Sequence, residues 1–350
     1  MGILNLGISA LVSNCKQLRR PYKLNFAVTY RCQSRCTTCS IWQMKPENEL
    51  TLGEIESFAK KNGFFKWIEL TGGEPFLRDD LADIVRAFRD SSKDLYMVTM
   101  PTNSLCSIER IERMLRAILE LGVPRIVITV SLDGYKELHD RLRGIPNNFE
   151  KAIAVFKLLK EVRKEHGNLD FVFGYTMSKH NKGAFERTFQ EAKSAIPDIT
   201  YNDFHINLAQ SSENYYRNKG SDMGAYGEEV ASELESILAH KRFSTNAVSF
   251  LDTLFLKKLV YFARTGRSPM HNRSLELSLF MDSGGNIYPS IVSNIKVGNI
   301  KDTDFDLMKI LDGDLASRAR ASIRSGGEAP NWTSCEAYQA MLGNLLGSLL

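Results

Sequence analysis

Several things are scarce or missing in this 350-residue chain. Six cysteines are too few for a disulfide framework at this length. There is no run of about 18 apolar residues, which excludes a helix that crosses a bilayer. Neither charge dominates: 45 Lys and Arg stand against 41 Asp and Glu, and a formal net charge of +4 is too small and too mixed to argue for nucleic acid. Internal repeats and low-complexity stretches are absent as well. With 43% hydrophobic and 25% charged residues, disorder is excluded. What is left is an ordinary globular balance, long enough for one large barrel-like domain or two medium ones.

The first dozen residues are apolar, but Lys16, Arg19 and Arg20 follow them, the reverse of a signal peptide. Gly2 invites a lipidation reading, yet Leu6 stands where a myristoylation signal wants Ser or Thr. The expectation is a cytoplasmic chain whose thiols stay reduced. Ile3, Leu4, Leu6, Ile8, Leu11 and Val12 at one end, and Met341, Leu342, Leu345, Leu346, Leu349 and Leu350 at the other, form apolar helix faces. Packing onto the domain or a subunit accounts for them; peripheral contact with a membrane, or a lipid-like substrate, is the alternative.

From Lys23 onward, β-rich runs alternate with amphipathic helical ones, the pattern of βαβ units on a parallel sheet. Strands are predicted over Leu24–Tyr30, Phe65–Leu70, Leu95–Met100, Arg125–Leu132, Asp170–Met177 and Thr200–Leu208. A capping box at Thr51-Leu52-Gly53-Glu54 opens one helix, another follows Asp79 and Asp80, and a third stops at Gly122. Lys157, Lys160, Arg163 and Lys164 read as a solvated helix face rather than a binding patch. Six units are fewer than the eight of a closed barrel, so the fold class is α/β, a partial (β/α)6 TIM-like barrel. After Gln210, two helices with a polar break near Ser244 to Ala247 lead to a smaller β-containing region over Ser274 to Asp302. The division expected is 1–22 an apolar and basic segment, 23–210 the barrel, 211–265 a helical connector and 266–350 a smaller α+β domain.

Half of the cysteines fall within eight residues, as Cys32-Gln33-Ser34-Arg35-Cys36-Thr37-Thr38-Cys39, where the first strand ends. Three thiolates on one tight loop can hold three irons of a 4Fe-4S cube and leave the fourth open. Structural zinc wants four ligands, and the loop holds no His or fourth Cys to complete a tetrahedron. Further motifs end the next strands. They are Thr71-Gly72-Gly73-Glu74-Pro75, then Thr102-Asn103-Ser104, then Ser131-Leu132-Asp133-Gly134 with His139-Asp140 and Arg141-Leu142-Arg143-Gly144 behind it. Two glycines let backbone approach a ligand closely.

Cys-x3-Cys-x2-Cys followed by these motifs in strand order resembles the radical S-adenosylmethionine superfamily. The resemblance implies that Cys32, Cys36 and Cys39 hold one 4Fe-4S cluster. It implies further that Gly72, Gly73, Glu74, Pro75, Asn103, Ser131 and Arg143 surround S-adenosylmethionine bound at the open iron. One electron, from a reductant such as flavodoxin or ferredoxin, would cleave the cofactor to a 5′-deoxyadenosyl radical that takes hydrogen from a substrate. Thr38 stands where many relatives carry an aromatic, with Trp42 nearby, and Ser104 where they carry Gly.

Phe280 to Ser290, with Val297-Gly298-Asn299-Ile300, resembles the auxiliary-cluster domain called SPASM or twitch. Of the cysteines expected there, only Cys335 is present, so the domain's shape is expected without its clusters. Tyr175, His205 and Asn207, near the ends of the last two strands, are candidate substrate contacts; no catalytic residue is assigned. By analogy the substrate class is a peptide. A lipid or small metabolite, or a non-catalytic protein that binds iron–sulfur and S-adenosylmethionine, are the alternatives.

Overall fold

The alternation of β-rich and amphipathic runs becomes a succession of β/α units in the computed structural model, which describes residues 2–242, 247–328 and 330–344. Helix α1 (Gly2–Cys15) precedes β1 (Lys23–Thr29). There follow α2 (Leu52–Lys61), β2 (Trp67–Gly72), α3 (Leu81–Ser91), β3 (Met97–Thr102), α4 (Ile108–Leu119) and β4 (Arg125–Ser131). Next come α5 (Lys136–Arg143), α6 (Asn148–Glu165), β5 (Leu169–Met177), α7 (Phe185–Ala195) and β6 (Phe204–Leu208). The remainder supplies α8 (Glu228–His240), α9 (Ala247–Thr265), β7 (Ser278–Met281), β8 (Asn286–Tyr288), β9 (Gly298–Asn299), α10 (Leu307–Leu311), α11 (Asp314–Arg324) and α12 (Ser334–Leu342).

The first six strands are parallel and lie in chain order, as the partial (β/α)6 barrel requires. One nine-stranded sheet, ordered β6-β5-β4-β3-β2-β1-β7-β8-β9, contains every named strand. Strand β7 pairs parallel with β1, while β8 and β9 are antiparallel. The strands of 266–350 therefore continue the barrel sheet instead of forming a sheet of their own.

Strand alternation separates core from cavity. In β4, Ile126, Ile128 and Val130 are buried against the helices, while Arg125, Val127, Thr129 and Ser131 line a cavity on the concave face. In β6, Phe204, Ile206 and Leu208 are core, and His205 and Asn207 face the cavity. Aromatic contacts tighten the helical layer: Phe156 stacks on Phe173 at 3.9 Å, and Phe88 meets Phe26 and Phe58 edge-on at 6.5 and 6.3 Å.

Local signals act largely as expected. Thr51 Oγ1 accepts from Glu54 N at 3.3 Å while Glu54 Oε2 accepts from Thr51 N at 2.8 Å, a complete capping box. Gly122 does adopt a left-handed φ of 75°, three residues after α4 ends. Strand boundaries need correction by a few residues. β2 and β3 start and stop two residues later than their apolar runs, and β6 begins at Phe204 because Thr200 caps a 3-10 turn over Tyr201–Asp203. The polar break expected near Ser244 to Ala247 lies mostly outside the described residues, as do Leu345 to Leu350.

Arg78 ties these units together below the cysteine loop. It is 7% exposed; Nη1 donates to the carbonyls of Val28 and Leu50, both at 3.0 Å, and Nε and Nη2 hold Asp80 at 2.8 and 2.6 Å. Arg78→Ala removes a buried donor and leaves Asp80 without its cation. A loss of about 2–4 kcal/mol in urea unfolding is expected, with partial recovery in Arg78→Lys.

Candidate functional site

The cysteine loop leaves the end of β1 and is held by backbone at the end of α5, while the chain entering it is held by the segment after β2. Arg35 N donates to Arg143 O at 2.8 Å and Thr37 N to Leu142 O at 2.9 Å, both carbonyls at the C-terminal end of α5. Gly73 N donates to Thr29 O (2.8 Å) and Glu74 N to Arg31 O (2.9 Å). A Cβ on Gly72 or Gly73 would lie 2.1 Å from the Thr29 or Arg31 carbonyl oxygen, and Gly72 has φ 122°. These glycines are thus already required by the chain's own backbone, and both also line the cavity.

All three thiols open into one cavity of about 720 Å³, together with Gly72, Gly73, Glu74, Asn103, Ser131 and Arg143. Arg143 Nη1 lies 3.7 Å from Cys36 Sγ, and its Nη2 pairs with Asp133 at 2.7 Å. Asn103 Nδ2 lies 3.6 Å from Cys32 Sγ. Burial pushes the Cys32 thiol up to about 11 and the Cys39 thiol up to about 12. Among the described residues, no group of three or more His, Cys, Asp or Glu side chains converges as a single metal ion would need. Three thiols on one loop, each for a different iron, fit a cluster instead. Two buried polar atoms with no partner, Ser34 Oγ and Arg143 Nε, sit on residues that line the same cavity and are available to a bound group.

Two expected contacts take a different place. Pro75 is buried in a 3-10 turn over Pro75–Leu77 and is not among the cavity-lining residues, because its fixed φ starts that turn. Tyr175 is fully buried: it shares its strand face with Phe173 and Met177, packs against Phe185, and its hydroxyl donates to Asn181 O at 2.9 Å. The cavity side of β5 carries Val172 and Thr176, so strand parity turns Tyr175 away. Glu74 faces the cavity, but its carboxylate accepts from Asn103 N at 2.6 Å and Phe76 N at 3.2 Å. It therefore joins the second and third strand ends, and burial raises it to about 7 despite those bonds. Ser104 adopts φ 64°, the left-handed conformation that favours glycine at this position. Trp42 and Thr38 both line the cavity.

His205 and Asn207 lie on the cavity wall within a network that the motifs did not announce. His205 Nδ1 is 2.6 Å from Asp252 Oδ1, Lys241 Nζ is 2.7 Å from Asp252 Oδ2, and Tyr338 Oη donates to Asp252 at 3.1 Å. Burial alone would raise Asp252, but Lys241 and His205 hold it well below the usual carboxylate range. Asn207 Nδ2 is 2.8 Å from His205 Nε2, and Asn207 Oδ1 is buried with no partner. Nearby, Cys335 Sγ donates to Glu69 Oε1 at 3.2 Å while the buried Lys23 pairs with Glu69 at 2.8 Å. The polar parity of His205 and Asn207 between Phe204, Ile206 and Leu208 was the available signal. Nothing local marks Asp252, Lys241 or Tyr338, which come from α9, the C-cap of α8 and α12.

Residues 26–192 match the family model described as the Radical SAM superfamily. The chain is 29% identical over 191 residues to an AdoMet-dependent heme synthase of Methanosarcina barkeri, covering 53% of this chain and 51% of that protein. It is 36% identical over 125 residues to a GTP 3′,8-cyclase of Aquifex aeolicus, covering 33% and 37%. This chain thus spans about half the length, or less, of the curated relatives it matches. Its fold is similar to that of anSMEcpe with bound AdoMet and a Kp18Cys peptide, with TM-score 0.63, 15% identity and coverage of 87% and 83%. It is also similar to that of Streptococcus suis SuiB bound to S-adenosylmethionine, with TM-score 0.60, 16% identity and coverage of 91% and 71%.

His139 supports the loop that presents Asp133 to Arg143, since its Nδ1 accepts from Asp133 N at 3.0 Å. Burial, with Arg143 adding to it, lowers His139 to about 3. An imidazole depressed from its unfolded value contributes stability above that value and loses it as pH falls. Between pH 7 and pH 5 the chain should lose about 2 kcal/mol through this group. Urea unfolding of His139→Asn, compared with wild type at both pH values, should lack that increment.

Proposed function

We propose that the chain is a Radical SAM enzyme, as the match of residues 26–192 to that family model suggests, working with one 4Fe-4S cluster held by Cys32, Cys36 and Cys39. Enzymes of this superfamily bind such a cluster and S-adenosylmethionine. The observation that carries the reading is the convergence of the three thiols with the ends of β2, β3 and β4 on one cavity. When bound, the reduced cluster would supply the one electron that splits S-adenosylmethionine into methionine and a 5′-deoxyadenosyl radical able to take hydrogen from a substrate.

The chain's own residues have separable tasks in this proposal. Gly72, Gly73, Asn103 and Ser131 offer backbone and small polar groups around S-adenosylmethionine, while Glu74 locks two of these segments to each other. Arg143, neutralised by Asp133, keeps a cation beside Cys36 and an unpartnered Nε for the cofactor's carboxylate. The half-enclosed cavity excludes water from the reacting atoms. His205, held by Asp252, and Asn207, with a free acceptor, contact the substrate.

We take the substrate to be a peptide, because the structural neighbours named above include one bound to a peptide. Residues 266–350 are read as a SPASM/twitch-like domain without its clusters, since Cys335 is the sole cysteine beyond Cys106. The reductant is a flavodoxin or ferredoxin, and the setting is the cytoplasm, where thiolate ligands survive. No helix among the described residues is long and apolar enough to cross a membrane.

Anaerobic reconstitution followed by reduction with S-adenosylmethionine should yield 5′-deoxyadenosine, detected by chromatography. Cys32→Ala, Cys36→Ala and Cys39→Ala should each abolish both the cluster absorbance and the product. Arg143→Ala should retain cluster yet lower product formation by about 10- to 100-fold, the loss of one buried charge-assisted contact. A cluster-loaded protein that binds S-adenosylmethionine without ever cleaving it overturns the enzyme reading in favour of a binding protein. Faster 5′-deoxyadenosine formation with added lipid or metabolite but not with peptides overturns the substrate class alone.

A further inference from the structure

Helix α1 has two faces in opposite situations. On one, Leu6, Ala10 and Ser13 are buried, and Leu6, Gly7 and Ala10 wall the cavity. That face is pinned: Lys66 Nζ donates to Asn5 O at 2.9 Å and Ser9 Oγ at 2.7 Å, Asn5 Nδ2 to Asp94 at 2.6 Å, and Arg273 Nη1 to Ser13 O at 2.8 Å. On the other face Leu4, Ile8 and Leu11 are 67%, 55% and 58% exposed. Positions i, i+4 and i+7 form one stripe, and the bonds on the buried side prevent the helix from rolling that stripe inward.

Single exposed leucines are ordinary, but a stripe of three large aliphatics on a helix without one charged side chain is not. Charge arrives immediately after it. Lys16, Arg19 and Arg20 are exposed, and no acidic residue occurs in the chain before Glu47. Arg19 makes a long, exposed pair with Asp312 at 3.4 Å, and the Arg20 guanidinium rests over the Phe64 ring at 5.4 Å; neither takes the cation out of reach of water.

We propose that α1 docks the protein onto an anionic membrane surface, with Leu4, Ile8 and Leu11 entering the acyl boundary and Lys16, Arg19 and Arg20 meeting lipid phosphates. A bilayer presents an apolar layer directly beneath a negatively charged one, which complements an apolar stripe ending in cations. A helix of 14 residues, about 21 Å long, lies flat in that interface without spanning it. Because its inner face walls the cavity, docking turns this end of the cavity toward the bilayer. Vesicle binding needs no bound cofactor, so this proposal and the cluster chemistry fail or stand separately.

The test is cosedimentation of the full chain, cluster loaded, with vesicles of phosphatidylcholine alone and of phosphatidylcholine with phosphatidylglycerol. Binding to the anionic vesicles is expected, weakening as salt is raised. Each of Lys16→Gln, Arg19→Gln and Arg20→Gln should lower partitioning by about five-fold, the equivalent of ~1 kcal/mol per cation. The combined variant Leu4→Ser, Ile8→Ser, Leu11→Ser should stay in the supernatant while keeping its cluster absorbance and its 5′-deoxyadenosine formation. Leu4→Ile, Ile8→Leu, Leu11→Ile should bind as wild type does. Failure of the wild type to cosediment overturns the proposal, as does a triple-serine variant that still does. A vesicle-free dimer that the serine variant dissolves also overturns it, assigning the face to a second copy of the chain.

Discussion

The whole site depends on the backbone hydrogen bonds that fasten the cysteine loop to its neighbours. The loop has no regular secondary structure of its own between Cys32 and Cys39, so its amides and carbonyls must find partners elsewhere. Arg35 and Thr37 find them at the end of α5, through Arg143 and Leu142, while Gly73 and Glu74 after β2 hold Thr29 and Arg31, where the chain enters the loop. Each attachment requires an absence of side chain. Gly144, with φ 67°, and Gly73 are places where a Cβ would strike loop backbone at 2.7 and 2.1 Å. The thiols are thereby positioned by a helix end and a strand end of the rigid scaffold rather than by the loop itself.

Electrostatics in the cavity follows a second regularity, in which buried charges are met by partners. Arg143 faces Asp133, Lys23 faces Glu69, Lys241 faces Asp252, and Arg125 faces Asp170 at 2.7 Å. Unpaired, any of these would cost several kcal/mol in a low-dielectric lumen. Paired, they leave the wall polar yet close to neutral, with isolated hydrogen-bonding atoms such as Asn207 Oδ1 and Arg125 Nε as its unsatisfied features. Such a wall suits a substrate recognised by hydrogen bonds more than by net charge. The Cys32 and Cys39 thiols depart from this pattern, because burial raises both by more than the nearby Arg143 lowers them.

The C-terminal third closes what six units leave open. Strand β7 lies beside β1, and α12 brings Ser334, Cys335 and Tyr338 onto the cavity wall. A barrel of six strands cannot complete its own circumference, so the cavity needs chain from outside the repeat. The carbonyl of Cys335 accepts from Lys23 Nζ at 2.9 Å, which joins the last helix to the first strand across 312 residues.

The sequence by itself determined the parallel β/α order, the capping box at Thr51 and the grouping of Cys32, Cys36 and Cys39 with three strand-end motifs. These depend on periodicity and short spacing, which a chain carries locally. Strand parity was present too: Phe173 and Met177 share the core face with Tyr175, while Phe204 and Ile206 leave His205 on the cavity face. Only the tertiary structure decided that Glu74 spends its carboxylate on backbone amides, that Pro75 leaves the cavity, and that Asp252, Lys241 and Tyr338 gather on His205. The physical reason is that a hydrogen bond has no sequence signature when its partners are tens or hundreds of residues apart, and burial on one face of a helix or strand is settled by what packs against it.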